Sequence, residues 1–287
     1  MSRKERRGSV TLVTENLELQ IVPDPIFIIG SPRSGTSVLA WSLAQHTECW
    51  TSAESDILIH LFGRGRFDSA YQASVSRGDG NWLSLNGVSR TELLGTLGLG
   101  FNAVFTSRSG GKRWIDQSPS YTLMVGVLAD MFPGARFVHI LRDGRQVVRS
   151  MLKSGFAEDW ADSFGEACKA WSHFVEEAMA FCNERPARGK TVLLDEIAAD
   201  PETKFTELQE WLGLEVEPWS ARFFQENRIN SSYPAGDTRR ADDGAAVWQS
   251  WSGDERRVFA EVAGPTLVKY GLADESALRA APITAVG

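Results

Sequence analysis

Cysteine is scarce: three in 287 residues, Cys49, Cys168 and Cys182. They show no CxxC spacing and cannot all pair. That argues against a disulfide scaffold and for a reducing, cytoplasmic compartment. Histidine is scarce too. His46, His60, His139 and His173 form no HxxxH or Cys/His cluster, so no metal is expected. No run approaches the ~18 apolar residues of a membrane span. The basic opening MSRKERRGSV lacks the apolar stretch of a secretory signal. Positive charge is in deficit, with 30 Lys and Arg against 37 Asp and Glu and a net charge of −7. General polyanion binding is therefore not expected, nucleic acid is not an expected partner, and any anion site must be local.

What remains is ordinary for a globular protein: 43% apolar and 23% charged residues, without repeats or a low-complexity linker. Residues 1–23 are expected as a flexible N-terminal segment, 24–275 as one domain, and 276–287 as a C-terminal tail. After Pro23-Asp24-Pro25, the run Ile26-Phe27-Ile28-Ile29 ends in a Gly/Ser/Pro turn, which reads as a buried strand. Residues 36–45 carry an unbroken helical pattern. The alternation recurs: strands at 113–116, 136–141 and 191–194, and helices at 121–131, 143–153, 161–182 and 201–212. The stretch 55–109 reads as mostly helical, and the region after Trp219 as helices with a long loop over 230–244. Strands alternating with helices predict an α/β fold, three-layered and P-loop-like, with a mainly parallel central sheet flanked by helices.

The segment Gly30-Ser31-Pro32-Arg33-Ser34-Gly35-Thr36-Ser37 has the frame of a phosphate loop between strand and helix. Glycines let backbone N–H groups converge on an anion, and the helix N-terminus adds roughly half a positive charge. An ATP-binding loop carries lysine after its second glycine. Here Thr36 stands there, and the cation lies inside the loop as Arg33. The anion cradle is kept and the lysine that bridges β- and γ-phosphates is gone, which disfavours kinase chemistry.

Ser31 to Ser37 resembles the 5′-phosphosulfate loop of sulfotransferases that use 3′-phosphoadenosine 5′-phosphosulfate (PAPS). Phe137-Val138-His139-Ile140-Leu141-Arg142, with Ser150 eight residues after the arginine, resembles the family's 3′-phosphate segment. Arg142 at a strand end can make a bidentate phosphate contact, and Ser150 would lie about two turns along the next helix. Asp195 to Pro201 and Trp211 to Leu214 resemble a structural segment of the same family. The resemblance implies a P-loop-like fold, PAPS as sulfuryl donor with adenosine 3′,5′-bisphosphate (PAP) as product, and no metal. It implies donor binding by Pro32, Arg33, Ser34, Gly35, Thr36, Ser37, Arg142 and Ser150.

The local pattern is nearest to the tyrosylprotein sulfotransferase branch. Counting from Pro32 through His46 puts Glu54 on that branch's catalytic glutamate, with His60 in reserve and His46 packed at the helix end. The resemblance also makes Ser232, ahead of Trp248, a donor to the sulfuryl group, and gives Arg33 a part in carrying leaving-group charge. At the family's lysine beside the bridging oxygen stands Gln117, an uncharged donor. Leu194, Ser154 and Val247 replace an aromatic and two basic residues, with Lys153, Arg239 and Arg240 as nearby cations. These differences favour a small-molecule alcohol or phenol as acceptor partner over a protein tyrosine. The other readings are a P-loop small-molecule kinase and a non-catalytic nucleotide-binding module. The sequence leaves the oligomeric state open.

Overall fold

Ile26–Ile29, four residues with no exposed surface, form the middle strand of a five-stranded parallel sheet. The computed structural model describes residues 10–14, 17–77, 80–154, 162–227 and 243–278. Its strands are β1 (Val10–Thr14), β2 (Leu17–Ile21), β3 (Ile26–Ile29), β4 (Cys49–Thr51), β5 (Arg113–Asp116), β6 (Arg136–Leu141) and β7 (Gly189–Leu193). β3 leads into α1 (Thr36–Leu43), and β4 into α2 (Ile57–Phe62), α3 (Arg66–Val75), α4 (Trp82–Leu85) and α5 (Arg90–Ser109). A 3-10 segment (Pro119–Met124) and α6 (Val125–Met131) follow β5; α7 (Gly144–Lys153) and α8 (Phe164–Glu184) follow β6. The chain closes with α9 (Leu194–Ala199), α10 (Pro201–Leu212), α11 (Trp219–Glu226), α12 (Gly244–Ser250), α13 (Gly253–Val262) and α14 (Gly264–Lys269).

The sheet order is β4-β5-β3-β6-β7, and every pairing is parallel. The α/β, doubly covered sheet expected from the alternation is what forms. Its two faces are set by the two-residue period of β3. Phe27 and Ile29 point into a core with Trp114, Tyr121, Leu128, Phe137 and Phe181, while Ile26 and Ile28 meet Leu39, Leu43, Ile140, Phe205 and Leu208. Phe27 stacks on Phe137 across the β3–β6 pair at 5.3 Å between centroids. A third cluster joins α7 and α8 to the last helices through Trp171, Trp248, Trp251 and Phe259. This order also sets the place of the site. The chain leaves β3 for β4, returns to β5 beside β3, then crosses to β6 on the other side. Direction reverses at β3, and ligands of such sheets bind outside the strand C-termini at that reversal.

Four differences from the sequence reading have physical reasons. Part of the N-terminal segment expected to be flexible forms an antiparallel pair, β1 with β2. Its end is tied down at Val22: the amide donates to Asn102 Oδ1 (3.2 Å) and Thr106 Oγ1 (3.0 Å), and Asn102 Nδ2 returns a bond to Val22 O. β4 has only three residues, too few for a periodic signal. Leu194 opens a helix rather than closing β7, because the last β6 residue available for pairing, Leu141, is opposite Leu193. Leu278, placed in the C-terminal tail, packs against the third core cluster.

Candidate functional site

β3 ends at Gly30, whose φ of 153° lies where side chains are strained. A Cβ there would stand 2.7 Å from Ile140 O, so glycine lets β3 and β6 stay close as the chain turns out. Thr122 fixes this turn from the 3-10 segment. Its hydroxyl accepts from Gly30 N (2.8 Å) and donates to Gly30 O (3.1 Å). Arg33 adopts a left-handed φ of 69°, a conformation that costs a non-glycine residue about 1 kcal/mol or more. Ser34 turns inward: its amide and its hydroxyl both donate to Ser31 O, at 3.1 and 2.6 Å. Gly35 caps α1 in the left-handed region without a side-chain hydrogen bond. The amides of the first turn, Thr36, Ser37 and Val38, have no intrahelical acceptor, the feature that lets a helix N-terminus receive an anion. Pro32 is buried in the loop, and Leu194 touches the loop, its Cδ2 3.3 Å from where a Gly35 Cβ would be.

The segment that carries Arg142 and Ser150 stands beside this loop. Arg142 is held from two sides: Nε donates to Gln146 Oε1 (2.7 Å), and Nη1 donates to the carbonyl of Arg33 (3.1 Å). Arg33 Nε in turn donates to Ser150 Oγ on α7 (3.2 Å). The two segments, separated by more than a hundred residues, are thus hydrogen-bonded to each other through Arg33. Burial pushes the Arg142 guanidinium below the usual arginine value; Asp195 and Asp143 oppose that shift, while Arg33 and Arg149 add to it. Asp143 caps α7 by accepting from Arg145 N at 2.8 Å, and its carboxylate pairs with the Arg145 guanidinium at 2.6 Å. That pair anchors the α7 N-terminus, which orients Ser150 two turns later.

Across the crevice, β5 ends in Asp116 and Gln117. Gln117 Oε1 accepts from Ser37 Oγ at 3.0 Å, so the residue at the expected lysine position lies against the loop helix. Glu54 follows β4. Its side chain reaches solvent, yet its pKa is raised to about 7. Displacement of water by surrounding protein is the main cause, the charges of Asp56 and Asp116 add to it, and Arg33 opposes it. A carboxyl poised near 7 suits proton abstraction near neutral pH. Glu54 therefore lies within the electrostatic reach of Arg33 and of the end of β5, and the crevice gathers the loop, Arg142, Ser150, Gln117 and Glu54.

The other residues singled out from the sequence sort differently. His46 is buried and structural: Nδ1 accepts from Glu48 N (3.1 Å), which leaves Nε2 to donate to Glu215 O (2.8 Å). His60 is exposed on α2. Trp248 and Val247 are core. Ser232, Arg239 and Arg240 lie outside the described residues. Among the described residues no group of three His, Cys, Asp or Glu is placed to hold a metal. The residues that sequence reasoning missed are Thr122, Gln146, Asp116, Ser55 and Tyr121. Each acts through a contact distant along the chain, except Gln146, whose position one helical turn from Arg142 was a readable signal.

Comparison with known proteins agrees with this geometry. Residues 25–218 match the Sulfotransferase family. Over 134 residues the chain is 28% identical to the nodulation protein NoeE of Sinorhizobium fredii (strain NBRC 101917 / NGR234), covering 44% of this chain and 30% of that protein. Over 227 residues it is 23% identical to a protein-tyrosine sulfotransferase of Drosophila melanogaster, covering 76% of this chain and 44% of that one. The chain matches less than half the length of either relative. Among solved structures, the sulfotransferase domain from the Synechococcus PCC 7002 olefin synthase shares the fold, with a TM-score of 0.53 at 19% identity over 84% of this chain and 94% of that domain. The family match runs from β3 to the threshold of α11 and takes in both phosphate segments, so the chain belongs to the sulfotransferase family, the PAPS-dependent family those segments resemble.

Proposed function

We propose that the protein transfers a sulfuryl group from PAPS to a hydroxyl of a small, largely apolar acceptor, with Glu54 as general base. The observation that supports this reading is the link Arg142–Arg33–Ser150, which ties the two segments together as a single two-ended anion site requires. The amides at the α1 N-terminus and Arg33 receive the 5′ end of the nucleotide, and Arg142 and Ser150 its 3′-phosphate. Glu54 takes the acceptor's proton as the oxygen attacks sulfur. The bond between sulfur and the bridging oxygen of the 5′-phosphate breaks, and the loop amides with Arg33 carry the charge that develops there. Gln117 offers an amide donor at the place where a lysine would offer charge.

The acceptor class is argued from what flanks Glu54. Asp56 and Asp116 make this side of the crevice acidic, which disfavours an acidic peptide. Ile57 and Leu61, one helical turn apart on α2, are 42% and 49% exposed, an apolar surface three residues beyond the base. The protein-tyrosine sulfotransferase among the relatives favours a second reading, with a peptide tyrosine as acceptor.

The test is transfer of label from ³⁵S-PAPS to a panel of alcohols, phenols, amines and tyrosine peptides. Transfer to a neutral alcohol or phenol, reduced roughly 10²- to 10⁴-fold in Glu54→Gln with donor affinity retained, is the expected result. Labelling of tyrosine peptides alone would move the assignment to the second reading. Binding of PAP with no transfer to any acceptor would leave a nucleotide-binding module. Stabilisation by Mg-ATP but not by PAP would mark a kinase.

A further inference from the structure

Behind Glu54 lies a hydrogen-bonded chain that the donor site does not use. Asp116 is 5% exposed at the end of β5. Its Oδ2 accepts from Ser55 Oγ at 2.7 Å, and its Oδ1 is 3.3 Å from both the amide and the hydroxyl of Ser118. Ser55 Oγ also lies 2.8 Å from Tyr121 Oη. Because the serine proton goes to the carboxylate, the tyrosine hydroxyl is left to donate to Ser55, so the chain runs Tyr121 to Ser55 to Asp116. The next residue, Asp56, has a left-handed φ of 49°, with its amide 3.4 Å from Ser118 Oγ. Leu58 N, in the first turn of α2, approaches Tyr121 Oη at 3.4 Å. Besides the bend's own bond from Ile57 N to Ser55 O (2.6 Å), these side-chain anchors come from the β5 end, Ser118 and the 3-10 segment.

We propose that Asp116 is a positioning residue for Glu54: through Ser55 and Tyr121 it fixes the bend that carries the base, and it sets a second carboxylate behind it. The proposal rests on the reading of Glu54 as base. A strained bend persists only where its surroundings over-determine it, and here three side chains from neighbouring elements do so. The like charge of Asp116 disfavours ionisation of Glu54, as does that of Asp56 on the same connection, while Arg33 from the loop opposes both. Burial raises the pKa of Asp116 itself, and the donors from Ser55, Ser118 and Gln117 counter that burial by favouring the carboxylate.

The experiment follows the Glu54 carboxyl directly. The full chain is labelled with [δ-¹³C]glutamate, saturated with PAP and titrated by NMR, and the Glu54 resonance is assigned by its loss in Glu54→Gln. Asp116→Asn removes one of the two like charges facing Glu54 and is expected to move the titration midpoint down toward the ordinary carboxylate value. Ser55→Ala keeps the Asp116 carboxyl, with Ser118 and Gln117 still favouring its charged form, while freeing the bend. It is expected to broaden or shift the Glu54 resonance with a smaller downward move than Asp116→Asn, and to lower transfer turnover while PAP affinity stays within about twofold of wild type. An unchanged midpoint in Asp116→Asn together with an unchanged resonance in Ser55→Ala overturns the proposal. So does a fall in melting temperature and PAP affinity in both variants with no change at Glu54, which marks a purely structural role. If Glu54→Gln retains full transfer, the base assignment itself fails, a result distinct from either of these.

Discussion

Replacing Arg142 by alanine removes the guanidinium proposed to hold the 3′-phosphate, together with its bonds to Gln146 and to the Arg33 carbonyl. Truncating one partner of a buried charged contact costs about 2–5 kcal/mol. At about 1.4 kcal/mol per decade, that is a roughly 30-fold to 4,000-fold rise in Kd for PAP. In this proposal part of the loss does not belong to the 3′-phosphate, because Arg142 also bonds the Arg33 carbonyl of the loop assigned to the 5′ end. Adenosine 5′-monophosphate separates the two parts, since it has no 3′-phosphate and reads only the loop. Calorimetry of both nucleotides against wild type and Arg142→Ala is therefore expected to show a large loss for PAP, a small one for the monophosphate, and collapse of the preference between them. Gln146→Ala, which removes only the support of the guanidinium, is expected to cost about 1 kcal/mol for PAP, one hydrogen bond's worth. An unchanged PAP affinity in Arg142→Ala, or equal loss for both nucleotides, would refute the assignment of Arg142 to the 3′-phosphate.

The remaining predictions concern the scaffold. In Gly30→Ala the new methyl would sit 2.7 Å from Ile140 O and 3.0 Å from Ser34 Oγ. Overpacking of this kind costs about 1–3 kcal/mol, so both the melting temperature and PAP affinity are expected to fall, and preservation of both would contradict the close approach described. His139 is fully buried, and burial holds its pKa at about 3. Against ~6.5 in the unfolded chain, the unfolded state binds more protons between those values. Stability is therefore complete above about pH 6.5 and falls toward pH 3, by about 2 kcal/mol at pH 5 and at most about 5 kcal/mol in all. Urea melts at pH 7 and pH 5 are expected to show this difference in wild type and a smaller one in His139→Gln; equal differences would remove His139 as the source.

What could be read from the sequence was local. Ile26–Ile29 followed by a glycine turn and a helix is one contiguous signal, as is the strand ending in Arg142 with Ser150 two turns on. The parallel sheet followed from the spacing of such units. Contacts between units left no trace. Nothing near Thr122 indicates that it brackets Gly30, and nothing near Tyr121 shows that its hydroxyl meets Ser55. Asp116 reads as the end of a strand, and only the β3–β5 register, with Phe27 opposite Asp116, brings it to the crevice. β4 was too short to register as a strand, and Val22, just after β2, is tied to Asn102 and Thr106 of α5, some eighty residues away. The proximity of Arg33 to Ser150 was required by the resemblance but could not be measured until both segments were placed.

One nucleotide bridges two pockets joined by Arg33 in this proposal, and a crystal structure of the protein with adenosine 3′,5′-bisphosphate tests that most directly. The predicted density has the 5′-phosphate on the amides at the N-terminus of α1, the 3′-phosphate within hydrogen-bonding distance of Arg142 and Ser150, and the crevice side of the 5′-phosphate open toward Glu54. A nucleotide bound elsewhere, or one whose 3′-phosphate points away from Arg142, would contradict it.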